Sequence, residues 1–182
     1  MTPNEKSKVL SEALPYIKKF FGKTIVIKFG GNAMVDKKLK QSFAKDLVLL
    51  KLVGMNPVII HGGGPQINDS LDKYGKKPIF EQGIRVTDEE TMIIVANVLS
   101  DINKQIVSLI KENGGEASSY SNKETSGIIK AKKIKVDKNS VDLGYVGEIV
   151  SIDPSFMKEL KDSGVIPIIA PIGMGDDNKI YN

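Results

Sequence analysis

Two glycine clusters, Lys28-Phe29-Gly30-Gly31-Asn32 and His61-Gly62-Gly63-Gly64-Pro65, each follow directly on a β-branched run, Thr24-Ile25-Val26-Ile27 and Pro57-Val58-Ile59-Ile60. A cluster of this kind is expected where a buried parallel strand ends and a helix begins. Glycine lets the main chain approach a ligand closely and turn its N–H groups toward it, and a helix N-terminus behind it adds a favourable dipole for an anion. Two such turns, one with a lysine at its mouth, describe a site that holds a phosphoryl group from both sides. Lys28 is a point charge suited to bridging the oxygens of a transferring phosphoryl group; the competing reading is a strand-end lysine reaching solvent. Gly62-Gly63-Gly64 matches neither G-x-x-x-x-G-K-[ST] nor G-x-G-x-x-G. A tight turn needs one or two glycines, and three before a proline favour an anion site. His61, the only histidine, reads as a packed residue that shapes the turn without donating a proton. Arg85, in Gly83-Ile84-Arg85-Val86-Thr87-Asp88, precedes a helix start. Its planar fork suits a carboxylate, and the alternative is a surface arginine serving the helix dipole.

The elements that must carry these residues follow from periodicity. A helix from about Glu5 to Phe21 sets Val9, Leu10, Ala13, Leu14, Ile17 and Phe20 on one side, with Pro15 kinking it or starting a new turn. After the strand Thr24–Phe29 comes a helix with Leu39, Phe43, Leu47 and Leu50 on one face and Gly54 past its end. The strand Pro57–His61 then feeds a Pro65-led helix, completing a βαβ unit. A capping box at Thr87-Asp88-Glu89-Glu90 opens a long helix striped by Val95, Val98, Leu99, Ile102, Ile106, Leu109 and Ile110 and stopped by Gly114-Gly115. Two strands, Gly127–Val136 and Leu143–Ile152, are joined by Asp137-Lys138-Asn139-Ser140 as a hairpin or lid. Asp153-Pro154 opens another helix that Gly164 closes, and Val165–Ala170 is the last strand. The run Lys130-Ala131-Lys132-Lys133-Ile134-Lys135 is a solvated face of its strand. The fold expected is an open, mainly parallel α/β sheet flanked by helices, with a β-hairpin lid.

The whole chain narrows the chemistry further. Its 182 residues suffice for one good core or two small ones, and 41% hydrophobic with 26% charged residues is ordinary for a soluble globular protein. Without cysteine there are no disulfides or thiolate metal sites, and a single histidine rules out a multi-histidine metal centre; no metal ligands are assigned. A net charge of +4, spread along the chain, suits a small anionic substrate, and 6% aromatic residues with no tryptophan speak against a base-stacking surface and nucleic acid as partner. No uninterrupted apolar stretch approaches the roughly 20 residues of a transmembrane helix, and residues 1–6 lack the apolar core of a signal peptide. A cytoplasmic protein with no membrane partner is expected.

Taken together, IVIKFGGNAM, VIIHGGGPQIN, FEQGIRVTDEETM, INKQIVSLI, DLGYVGEI and VIPIIAPIG followed by YN resemble the amino-acid kinase family over nearly the entire chain. The G-I-R-V-T-D segment is similar to the branch acting on N-acetyl-L-glutamate rather than to the carbamate, uridylate or aspartate kinases. The resemblance implies transfer of the γ-phosphoryl of ATP, with Mg2+, to the side-chain carboxylate of N-acetyl-L-glutamate, giving an acyl phosphate in arginine biosynthesis. By motif it implies that Lys28 stabilises the transition state and that Gly30 and Gly31 contact the ATP phosphates. Gly63, Gly64, Arg85 and Asn182 would then contact the acid. Another phosphotransferase of the family, or an acid-binding fragment without turnover, is the alternative. Asn182 matches the start of the family's N-x-N-A-D segment; as the last residue it is expected to fray, and the nucleotide lobe of the family is expected to lie outside this chain. Residues 1–22 resemble the extra helix of hexameric, arginine-inhibited members, implying a homo-oligomer with residues 23–182 as the substrate-binding lobe. Ser121-Asn122-Lys123-Glu124-Thr125-Ser126-Gly127 departs from the family's S-G-K-D-G.

Overall fold

The computed structural model describes residues 1–121, 128–135 and 141–182, and for residues 32, 157 and 159–161 the main chain only. The expected connection at 137–140 and the atypical loop at 122–127 lie outside the described residues. In chain order the elements are α1 (Pro3–Phe20), β1 (Thr24–Phe29), a 3-10 turn (Gly31–Met34), α2 (Lys37–Leu52), β2 (Asn56–His61), α3 (Gly64–Lys73), β3 (Phe80–Glu81), β4 (Ile84–Arg85) and α4 (Glu89–Glu112). They continue with β5 (Ala117–Tyr120), β6 (Ile129–Lys133), β7 (Gly147–Ile152), α5 (Pro154–Asp162), β8 (Ile166–Ile169), β9 (Gly173–Met174) and β10 (Ile180–Tyr181).

The main sheet has the order β1-β2-β8-β5 and is parallel throughout. Its centre is made of residues with no polar side-chain atoms to satisfy: Ile59, Ile166, Ile168 and Ala170 are fully buried against Val95, Leu99 and Ile110 of α4 and Leu47 of α2. Each large aliphatic side chain so buried contributes about 1.5–3 kcal/mol relative to leaving it in water. The stripe expected on α4 is the buried one. By length and composition alone α4 could also cross a membrane; here its apolar face is taken up by the core.

Several expectations are corrected. β1 is not a buried strand. It is the sheet edge, with Val26 61% exposed and only Phe29 buried, because no strand pairs with its outer side among the described residues. Leu39 is exposed; Leu47 is buried as expected, with Phe43 and Leu50 packed against the core, and Ala44 and Val48 are buried beside them. α1 runs through Pro15 as one helix rather than starting a new turn there, and none of its residues is fully buried, Ala13 and Ile17 being half-buried. β5 was not expected, since Ala117-Ser118-Ser119-Tyr120 has neither apolar alternation nor β-branched residues; it forms because it pairs in register with β8, Ser119 opposite Ile168. α4 begins one residue later than a Thr87 cap would place it. Asp88 is the cap, accepting from the Thr91 N–H at 2.7 Å, while Thr87 is fully buried and spent on pairing with residues 143–145.

A second sheet, order β10-β9-β6-β7, stands beside the first. β6 and β7 are antiparallel as a hairpin requires, with a register shift between Lys130 and Ala131. Lys130, Lys132 and Lys133 are exposed and paired with Asp176, Glu148 and Asp142, a solvated face as expected.

Because α1 contributes nothing to the core, removing residues 1–20 keeps the Gly22 N–H to Gly54 carbonyl bond. It is expected to change the unfolding free energy of the remainder by less than about 1 kcal/mol; urea denaturation followed by circular dichroism checks this. Asp88 supplies a pH-dependent part of the stability. Thr91 and then Lys76 hold its carboxyl at about 2, below the ordinary 3.8. Its contribution is therefore complete above about pH 4 and is lost as the pH falls through about 2. Asp88→Ala is expected to cost about 1 kcal/mol at pH 7, with the difference from the parent chain closing over that acidic range in urea titrations.

Candidate functional site

The site is built on the carboxyl ends of β1 and β2. The two strands pair with Phe29 opposite His61, and the Gly62 N–H reaches the Phe29 carbonyl at 3.2 Å, so the two glycine turns leave the sheet side by side. This is the crevice at strand ends where open α/β sheets bind ligands. Phe29 stacks on Phe43 of α2 at 4.0 Å between centroids. Lys28, one residue earlier, projects to the opposite face of the sheet and is exposed. Gly30 links β1 to the 3-10 turn that Gly31 opens.

On the second strand, Gly63 caps α3 without any side-chain hydrogen bond, and Pro65 occupies the first turn. The leading N–H groups of the helix, those of Gly64 and Gln66, thus have no side-chain cap. The backbone of Gly63 is extended, so its need for glycine is one of space. A Cβ there would stand 2.9 Å from Leu99 Cδ2 and Ile102 Cδ1, so the ends of those two side chains would have to shift. His61 is 2% exposed, in keeping with a residue that shapes the turn from beneath.

Arg85 comes to this helix from β4. Its Nη2 donates to Asn68 Oδ1 at 2.7 Å, on α3 one turn beyond Gly64, and its guanidinium lies 4.8 Å from the Phe80 ring centroid. The residue is 9% exposed, so the reading of Arg85 as a surface arginine does not hold. Burial pushes the guanidinium below its ordinary pKa, and it stays charged. Its Nη1 is buried with no partner among the described residues. A buried donor without an acceptor costs about 1–3 kcal/mol, a cost that a bound anion would remove.

A strap, residues 143–147, joins Asn182 to Thr87, two residues beyond Arg85. Thr87 N–H donates to Leu143 O at 2.9 Å and Tyr145 N–H to Thr87 O at 2.7 Å. On the other side Asn182 N–H donates to Tyr145 O, and Gly147 N–H to Asn182 O, each at 3.1 Å. The main chain of Asn182 is therefore held on both sides, which overturns the expectation that it frays. Its Oδ1 is buried and unpartnered among the described residues. Neighbouring Tyr181 is pushed up to about 12 by burial and by donation to Asp177 Oδ2 at 2.8 Å.

Two parts of this arrangement were not picked out from the sequence as site residues. Asn68 lies inside the glycine motif, four residues past Gly64, and that spacing sets it on the helix face nearest the turn. The strap lay within a longer expected strand. Its signal was Gly144, whose φ of +72° and contact with Thr87 leave no room for a Cβ. Among the described residues no group of three or more carboxylate or imidazole side chains could hold a metal ion.

The family model for the amino acid kinase family matches residues 23–182. The chain is 57% identical over 187 residues to the acetylglutamate kinase of Methylobacillus flagellatus, covering 100% of this chain and 63% of that protein. It is 54% identical over 186 residues to the acetylglutamate kinase of a Polaromonas species, covering 99% and 61%. The chain thus spans about three-fifths of the length of these curated relatives. Among solved structures, the N-acetylglutamate synthase of Neisseria gonorrhoeae complexed with coenzyme A and N-acetyl-glutamate has the same fold, with a TM-score of 0.81 at 24% identity over 95% of this chain and 39% of that one.

Gly144→Ala forces a Cβ into the Thr87 carbonyl and a left-handed backbone onto alanine. It is expected to cost about 2 kcal/mol or more of stability and to shift the amide signals of Thr87 and Asn182 together in a 1H–15N spectrum.

Proposed function

The chain belongs to the amino acid kinase family, and from that membership we propose that it forms the acid-binding lobe of an acetylglutamate kinase. The reaction is transfer of the γ-phosphoryl of ATP to the side-chain carboxylate of N-acetyl-L-glutamate, giving an acyl phosphate and ADP. The observation that carries the reading is the pair of buried, unpartnered groups Arg85 Nη1 and Asn182 Oδ1, on chain segments that one strap links through Thr87. A carboxylate answers the first and an amide N–H the second, and an N-acylated amino acid offers both. The side-chain carboxylate then lies toward the uncapped turn at Gly63 and Gly64.

In this mechanism the protein contributes position and charge rather than a covalent intermediate. Arg85 and Asn182 anchor the acid. The N–H groups at Gly63 and Gly64 stabilise charge on the transferring phosphoryl group as it approaches the acid. Gly30 and Gly31, on the neighbouring strand end, receive the nucleotide phosphates, and Lys28 neutralises the charge that accumulates between donor and acceptor. Mg2+ enters with the nucleotide as part of that substrate. Residues 23–182 form the lobe, and α1, none of whose residues is fully buried, serves as the intersubunit element of a cytoplasmic homo-oligomer of the hexameric, arginine-inhibited kind.

Calorimetry of the 182-residue chain tests the acid site. N-acetylglutamate is expected to bind, unacetylated glutamate to bind at least ten-fold more weakly, and Arg85→Lys, which keeps the charge and loses the fork, to weaken binding at least ten-fold. Equal affinity for both acids would sink the reading. In an enzyme carrying both lobes, Lys28→Ala is expected to lower kcat by the equivalent of about 2–4 kcal/mol with little change in KM for the acid.

A further inference from the structure

The guanidinium of Arg85 is buried and charged, yet among the described residues no carboxylate pairs with it. Its polar partner is a neutral amide, to which the mechanism gives no part. Nη2 donates to Asn68 Oδ1 at 2.7 Å. The Asn68 amide cannot be reversed, because its Nδ2 would then set one donor against another. Beside this bond the guanidinium carbon lies 4.8 Å from the Phe80 ring centroid, within cation–π reach. A guanidinium is planar and rigid. An acceptor on one prong and a ring beside the carbon therefore fix the other prong, Nη1, which is buried and has no partner among the described residues.

We propose that Asn68 is a positioning residue, whose neutral amide oxygen holds the Arg85 fork with Nη1 free for an anion and leaves the positive charge uncompensated. The role rests on the acid-site reading of Arg85, through which Asn68 acts. A carboxylate at position 68 would hold the fork too, and more tightly, because both partners would then be ionised. It would also neutralise the guanidinium, so that an incoming carboxylate would have to share that charge and meet a like charge beside it. An amide oxygen accepts the hydrogen bond without bringing a charge. The consequence is an ionised group buried without a counter-ion, which destabilises the empty chain. An anion at Nη1 removes that cost, so part of the binding free energy is already stored in the unliganded site. With alanine at position 68 the fork would lose its in-plane anchor, and Nη2 would become a second donor without an acceptor.

Two measurements on the 182-residue chain test this. The first is nuclear magnetic resonance of the Arg85 guanidinium without ligand. In the parent chain Nη2 is expected to rotate about its bond to Cζ more slowly than Nη1, and Asn68→Ala to speed the Nη2 rotation about ten-fold or more. Nη1 rotating as slowly as Nη2 in the parent overturns the proposal and needs no variant to fold. The second is calorimetry with N-acetylglutamate, read beside the thermal midpoint of each chain. Asn68→Ala is expected to weaken binding about ten-fold or more. Asn68→Asp is expected to keep or raise the midpoint while also weakening binding about ten-fold or more. Stability and affinity then move apart, which a merely structural Asn68 would not produce. Binding within about two-fold of the parent by either folded variant overturns the positioning role. A parent chain that does not bind N-acetylglutamate overturns the acid-site reading instead, and the rotation rates, measured without ligand, still decide whether Asn68 holds Arg85.

Discussion

Parallel pairing of β1 with β2, in the register that sets Phe29 opposite His61, is the constraint from which the site follows. Parallel strands point their carboxyl ends the same way, so both glycine turns emerge on one rim. The Gly62 N–H bonded to Phe29 O extends the ladder by one residue beyond the last strand pair. A slip of one residue would send His61 to the exposed side of the sheet and turn the apolar face of β2 away from α4. The burial of Ile59 and His61 makes such a slip costly.

α4 is the element through which this rim is held at a fixed height. Leu99 and Ile102 come so near Gly63 that a Cβ there would force their side chains to shift, and Asn103, between Ile102 and the next apolar turn, ties the same helix to β5, β8 and His61. One helix face thus provides close apolar packing and directed hydrogen bonding at adjacent positions. At its N-terminus Asp88 caps the helix, and directly before it Thr87 joins the strap. The placement of Arg85 and the start of α4 are therefore coupled, since only Val86 and Thr87 separate the arginine from the cap.

The strap ties the start of α4 to the carboxyl end of β10. Its 143–147 backbone bonds to Thr87 on one side and to Asn182 on the other, linking residues 87 and 182 through main-chain hydrogen bonds. The one-sided β1, with Val26 exposed, and α1, with no fully buried residue, are the opposite case, elements that leave apolar side chains uncovered among the described residues.

Much of this was legible from local pattern. The strand–glycine–helix units, the α4 stripe, the β6–β7 pairing and the helix stops depend on residues within a turn or two of one another, and period and turn chemistry report such neighbours directly. The residues with chemistry-bearing types, Lys28, Gly30, Gly31, Gly63, Gly64, Arg85 and Asn182, stood out for the same reason and for their likeness to a known family. Only the tertiary structure decided that β1 is an edge, that Ser-rich 117–120 is a strand, that Thr87 is buried rather than capping, and that Asn182 is held. It alone decided that Asn103 reaches His61 across 42 residues and Ile168 across 65. The physical reason is that strand pairing and the satisfaction of a buried polar group depend on which atoms lie beside it in space, and neighbours that distant along the chain leave no periodic trace.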